Sequence, residues 1–230
     1  MFVPIGDDNP LKRIRYQYVT VAIIALNVLV FLIETAGGYA DAFVASFAVV
    51  PQELFQVHLL GGQAPISADA LAIPERATLF TYMFFHGDVI HLATNMLFLW
   101  VFGDNVEDAM GHIRYLVFYI TCGVAGALLH AFMLPDSQDG LIGASGAISG
   151  VIAAYMMLHP RVGVWILALK FIPLKITAAL ALGLWILLQF VMVALPQSGP
   201  TAWWAHIGGL LTGATLILFL RQPGVRLFER

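Results

Sequence analysis

The chain has 230 residues, 60% of them hydrophobic and only 11% charged, with a mean hydropathy of +0.86. A soluble domain carries about 25% charged residues, and a water-soluble globule of this size has too little interior to hide so much apolar surface. An ordinary cytosolic enzyme, a disordered chain and a nucleic-acid binder are therefore excluded: 11 Lys+Arg against 14 Asp+Glu give a net charge of −3 and no field for a polyanion, and the single cysteine, Cys122, rules out an internal disulfide or a cysteine-based zinc cluster.

A helix needs about 20 apolar residues to cross a bilayer. Six stretches meet or approach that length: 16–33, 84–102, 115–134, 140–159, 176–195 and 201–220. The first follows Lys12, Arg13 and Arg15, as a signal peptide would. Its apolar run is longer than a signal core and no A-x-A site follows closely, so it reads as a retained span. The pattern predicts an all-α membrane protein: residues 1–15 before the membrane, a six-helix domain over 16–220, and a tail over 221–230.

Charge sets the orientation. With six spans, Lys12, Arg13, Arg15, Arg114, Arg161, Lys170, Lys175, Arg221, Arg226 and Arg230 fall on one side, and Arg76 alone falls on the other. The positive-inside rule puts that basic side, with both termini, in the cytoplasm. Five or seven spans would destroy the segregation. The long outer segment 37–79 contains an amphipathic stretch over 41–60, with Phe43, Phe47, Val50, Leu54 and Val57 at helical spacing. It either lies in the interface or packs on the bundle.

Small residues mark the fourth and sixth spans. Gly146 and Gly150 form one G-x-x-x-G, and Gly209 and Gly213 another. Such faces let helix backbones approach closely in lipid, which predicts that the two spans are neighbours.

Ionisable groups inside a membrane are costly and mark functional sites. At about 1.5 Å per residue, Ser145 and His206 both lie about 8 Å below the outer boundary, and His91 about 10 Å below it. Asn95 is one turn deeper on the face of His91. A serine needs a base to become a nucleophile, and histidine has the right proton affinity. Ser145 is near its helix N-terminus, where N–H groups can serve an oxyanion, and His91 and Asn95 can add donors. No acidic residue is placed to orient His206, so a dyad is expected.

The bland alternatives are specific too. A serine among Gly and Ala is commonly a small packing residue. His86 reads as a satisfied interfacial histidine, Asp88 as a helix cap, and His130 and Gln189 as helix–helix hydrogen-bonding groups. His58, His112 and His159 fall at span ends and read as wetted. No role is assigned to Asn27. H-E-x-x-H is absent, so no metal is expected. Residues 143–147 fall short of G-x-S-x-G, and a soluble α/β-hydrolase would need strands that the pattern does not offer.

Taken together, H-G-D-V-I-H-L-A-T-N at 86–95, F-G-D-N-V-E-D at 102–108, G-A-S-G-A at 143–147 and A-H-I-G-G at 205–209 resemble the rhomboid family of intramembrane serine proteases. The resemblance covers residues 78–220 and implies a six-helix rhomboid-like bundle of the basic bacterial type, in a bacterial inner membrane. It implies Ser145 as nucleophile and His206 as general base. His91, Asn95 and the Ser145 N–H would form the oxyanion hole. Gly143 would sit in the turn entering the fourth span, with Gly146 and Gly209 supporting the site. Glu107 would be structural, and Trp185 would border the substrate gate. The implied substrates are membrane proteins with a transmembrane helix, cut at small residues near the outer face, with no cofactor.

Two departures stand out. Many members carry an aromatic residue four positions after the nucleophile, packed on the histidine; here it is Ser149, whose hydroxyl would take over the support. Trp-Arg before the second span is replaced by Arg76, Ala77 and Thr78. The alternative function is a catalytically silent rhomboid-fold protein that binds membrane clients. A small transporter would need a path to the inner side and paired halves, and the sequence shows no repeat.

Overall fold

A computed structural model of the chain describes residues 3–36, 40–59, 73–168, 171–195 and 201–228. In chain order these form β1 (Val3–Asp7), α1 (Tyr18–Ala36), α2 (Ala40–Phe47), α3 (Pro51–Leu59), α4 (Glu75–Thr81), a 3-10 turn at Tyr82–Phe84, α5 (Val89–Met110), α6 (His112–Met133), α7 (Ser145–Leu158), β2 (Gly163–Ala168), β3 (Ile172–Thr177), α8 (Ala178–Ala194) and α9 (Trp203–Leu220). The six expected spans correspond to α1, α5, α6, α7, α8 and α9. Four of them, α1, α5, α6 and α9, are long and apolar enough to cross a membrane. The other two are shorter, 14 residues in α7 and 17 in α8.

Two helix starts differ most from the sequence reading. The second span begins at Val89 and not at 84, because Asp88 caps α5: its Oδ1 accepts the N–H groups of Ile90 and His91, each at 2.8 Å. The fourth span begins at Ser145 and not at 140. Gly143 has φ +114°, which ends any helical continuation upstream.

α9 packs between α6 and α7, and glycines make this possible. A Cβ on Gly209 would lie 1.9 Å from the Gly146 carbonyl oxygen, and one on Gly213 would lie 2.4 Å from that of Gly150. On the other side, a Cβ on Gly126 of α6 would lie 2.7 Å from the Ala205 carbonyl oxygen. The expected adjacency of the fourth and sixth spans is present, as backbone against backbone. Apolar side chains point outward from the helices, among them Leu29, Leu32 and Ile33 on α1 and Leu184, Leu187 and Leu188 on α8.

The segment 40–59 forms two helices and not one. Residues 48–50, buried, separate them, and Val49 and Leu141 exchange backbone hydrogen bonds of 3.0 and 2.9 Å. Phe47 stacks on Phe85 at 4.5 Å, and Leu54 is buried, so the stretch packs on the bundle. The side chains of Phe43, Val57 and His58 lie outside the described residues, as do residues 60–72.

The basic end of the bundle is held by two carboxylates at the end of α5. Glu107 is fully buried and accepts the Val19 N–H at 3.0 Å, the Thr20 N–H at 2.8 Å and the Thr20 hydroxyl at 2.7 Å. His112 Nδ1 lies 2.5 Å from Glu107 Oε1, the oxygen that accepts the Val19 N–H. Asp108 accepts the N–H groups of Lys12, Arg13 and Ile14 at 3.1, 2.6 and 2.7 Å. The Glu107 bonds satisfy N–H groups at the start of α1 that no helix carbonyl can reach, and the Asp108 bonds hold the segment before it. The structural role expected of Glu107 is therefore visible in its partners.

The sheet is an addition to the helical reading. β1 pairs antiparallel with β2, and β2 with β3, in the order β1-β2-β3. Lys175 of β3 pairs with Asp8, and the Tyr155 hydroxyl donates to Asp7 Oδ2. β1 packs beside α5 and meets the end of α7 through Tyr155, and β2 and β3 lie against the start of α8.

Burial pushes the Asp7 carboxyl up from 3.8 to about 6, against the lowering effect of the Tyr155 hydroxyl. The folded chain thus keeps a proton that the unfolded chain has shed, and this contribution is full below about pH 4 and lost as pH rises through about 6. Asp7→Asn keeps an acceptor for Tyr155 and removes the titration. Its melting temperature in detergent should fall less than that of the wild type between pH 4.5 and 7; equal falls would show that Asp7 does not titrate there.

Candidate active site

Backbone that is not helical is tolerated at membrane depth only where protein satisfies its polar groups. The segment entering α7 meets that condition. Leu141 pairs with Val49, and the Gly143 N–H donates to the Tyr82 carbonyl at 2.9 Å. The Tyr82 hydroxyl donates to the Gly123 carbonyl at 2.7 Å, so this support is itself fixed to α6. A helix of 14 residues spans about 21 Å, short of the roughly 30 Å hydrocarbon core. With the far end of α7 level with the basic face, Ser145 lies about 9 Å below the opposite boundary.

Ser145 is the first residue of α7 and His206 the fourth of α9. His206 Nε2 lies 2.9 Å from Ser145 Oγ. The serine is half-buried and the histidine buried. Gly146, next to Ser145, and Gly209, one turn after His206, mark a point where the helices touch. The predicted meeting of Ser145 and His206 is present at hydrogen-bonding distance.

His91 and Asn95 come to the same place from α5. A Cβ on Gly143 would lie 2.7 Å from His91 Cε1, 2.8 Å from His91 Nε2 and 3.8 Å from Asn95 Nδ2. Both side chains therefore border the turn that delivers Ser145. Asn95 is buried and its Nδ2 has no hydrogen-bond partner among the described residues, which leaves a donor for a ligand atom.

Other expectations change. Ser149 does not bond to His206: its hydroxyl donates to the Ser145 carbonyl at 2.6 Å, back along its own helix. The histidine's surroundings come instead from α8 and α9. The Trp185 ring lies 6.0 Å away at 33°, and Trp203 meets it edge-on at 5.9 Å. Gln189 Oε1 lies 2.8 Å from His206 Nδ1. Gln189 is a helix–helix hydrogen-bonding group, as the sequence indicated, but the sequence did not identify its partner. A lone amide in an otherwise apolar helix was the available signal.

His86 is not a satisfied interfacial histidine. It is buried, neither ring nitrogen has a partner among the described residues, and its ring meets His91 edge-on at 5.0 Å. His130 is buried with Nδ1 unpartnered among the described residues, so the interhelical bond expected of it is not formed there. His159 is not wetted; it is buried against Tyr155. Asn27 acquires a role, donating to the Ile23 carbonyl at 2.8 Å within α1.

The arrangement has the parts of a nucleophilic site: a serine hydroxyl, a base on it, a group behind the base and donors beside the helix N-terminus. Comparison with known proteins is consistent with it. Residues 74–223 match the Rhomboid domain family. RHOMBOID-like protein 6, mitochondrial, of Arabidopsis thaliana is 35% identical over 150 residues, 65% of this chain and 45% of that protein. Presenilin-associated rhomboid-like protein A, mitochondrial, of Danio rerio is 30% identical over 142 residues, 58% of this chain and 35% of that protein. Inactive rhomboid protein 1 of Drosophila melanogaster is 32% identical over 80 residues, 35% of this chain and 6% of that protein. The matched stretch spans less than half of each of these relatives.

Gly143→Ala places a Cβ against the His91 ring on backbone that L-residues rarely adopt. Labelling of Ser145 by a fluorophosphonate in detergent micelles should slow by about tenfold or more, from about 1–2 kcal/mol of strain. Labelling at the wild-type rate would show that the turn does not position the serine.

Proposed function

We propose that this chain, which belongs to the rhomboid family, is an intramembrane serine endopeptidase acting on membrane proteins that carry a transmembrane helix. The observation that carries the reading is the 2.9 Å contact between His206 Nε2 and Ser145 Oγ. The base takes the hydroxyl proton as Oγ attacks the scissile carbonyl carbon. The resulting oxyanion is held by donors from His91, Asn95 and the α7 N-terminus. His206 then gives its proton to the departing amine. The acyl-enzyme is resolved by water through the same base.

Substrate chemistry follows from where the site lies. A transmembrane helix has its carbonyls hydrogen-bonded along its length, so it must unwind locally before a serine can reach one. The substrate is cut close to the boundary opposite the basic end, and the glycine-rich entrance favours small residues at the scissile bond. The basic end faces the cytoplasm by the positive-inside rule, as in a bacterial inner membrane. Partners of the reading are thus the bilayer and single-span substrates, with no nucleic acid and no cofactor.

A second reading is a client-binding protein that does not cut. The name of the Drosophila relative favours it. The presence of both Ser145 and His206, in contact, weighs on the side of catalysis.

Reconstitution in liposomes with a single-span reporter tests the choice. Wild type should cleave it, and Ser145→Ala and His206→Ala should not. His91→Ala and Asn95→Ala should each lower turnover by about 10²–10³-fold. Cleavage by all forms alike would sink the assignment. Capture of the reporter without cleavage by wild type would favour the client-binding reading.

A further inference from the structure

The imidazole of His206 has two faces to its chemistry. Nε2 serves the serine only when it carries a lone pair, which requires the proton on Nδ1. Whatever touches Nδ1 therefore decides whether the base is in its working form. That atom lies 2.8 Å from Gln189 Oε1.

The orientation of the Gln189 amide is set by its other bond. Its Nε2 donates to the Trp185 carbonyl at 2.8 Å, one turn back along α8. Flipping the amide would set its oxygen against that carbonyl oxygen and its NH₂ against Nδ1. Oε1, an acceptor with no proton to give, is thus the group that Nδ1 meets, and Nδ1 must donate. The lone pair on Nε2 then points at Ser145 Oγ.

Gln189 is also singular in its helix. Leu184, Leu187, Leu188, Phe190 and Val191 around it are exposed, whereas Gln189 is 1% exposed. The titratable side chains facing His206 are His91 on α5 and His130 on α6; its α7 and α8 neighbours Ser145, Trp185 and Gln189 are neutral. Ser149, at the position from which support was expected, bonds to its own helix.

We infer that Gln189 is the positioning residue for His206: its side-chain oxygen holds the imidazole in the Nδ1–H tautomer and in register with Ser145, the part that an acidic residue plays in a triad. This rests on the protease reading above. The same bond ties α8 to α9, so the base is in register only when α8 is docked.

The test uses the full chain in liposomes, with a fluorophosphonate probe on Ser145 and ¹⁵N NMR of the histidine rings. Gln189→Leu should slow labelling by about 10²-fold through the maximal rate, with the probe concentration for half-maximal rate unchanged. Gln189→Glu should restore most of the rate, because a carboxyl oxygen still accepts from Nδ1. If Gln189 served only to bond Trp185, Glu would fare no better than Leu, having lost the NH₂. The ring signals that vanish in His206→Ala should report Nδ1–H in wild type and Gln189→Glu, and a tautomer mixture in Gln189→Leu.

Wild-type labelling together with an unchanged tautomer in Gln189→Leu would overturn the assignment. A collapse of labelling in both variants with the tautomer intact would also overturn it, reducing Gln189 to a packing group. The NMR result does not depend on catalysis. A tautomer change in Gln189→Leu with no labelling of the wild type would leave Gln189's hold on the ring established and refute the protease reading instead.

Discussion

The structure depends on the contact of two helix backbones. Gly209 of α9 rests on the Gly146 carbonyl of α7, with no room for even a methyl group between them. Ser145 precedes the one glycine and His206 stands one turn before the other. The separation of the two helices therefore sets the separation of Ser145 and His206. A larger residue at Gly209 would push the axes apart, and the 2.9 Å contact would be the first casualty. In lipid, where apolar side chains gain nothing by leaving the solvent, such close packing is also what holds helices together. Stability and the geometry of the proposed site rest on the same atoms.

A second constraint acts on the entrance to α7. The chain must reach below the membrane surface before α7 begins, since α7 is too short to cross the hydrocarbon core and starts at Ser145. That requires non-helical backbone at depth. Gly143 supplies the conformation, and Val49 and Tyr82 supply the hydrogen bonds that lipid cannot. The short helices α2 and α3 thus have a reason to pack down on the bundle: the bridge between Val49 and Leu141 sits in the gap between them.

The opposite end is built for anchorage. Glu107 and Asp108 gather the start of α1 and the segment before it, and the three-stranded sheet ties β1 to the connection between α7 and α8. α7 is thus held at its base, away from the reacting atoms, while its N-terminus carries the serine.

The sequence by itself determined the membrane class, the six apolar helices and the meeting of Ser145 with His206. Each follows from a one-dimensional rule: hydropathy over about 20 residues, charge sidedness, glycine spacing and depth counted along a helix. His91 and Asn95 were legible for the same reason, sharing one face of α5. Tertiary structure alone decided what those rules do not encode. The strands were hidden because 163–168 and 172–177 read as flanks of apolar spans, and the strand that pairs with 163–168 on its other edge lies some 160 residues away at the N-terminus. The support of His206 passed from Ser149 to Gln189 because hydrogen bonding is settled by direction and distance between helices, and the Ser149 hydroxyl finds the Ser145 carbonyl, one turn back in its own helix, first.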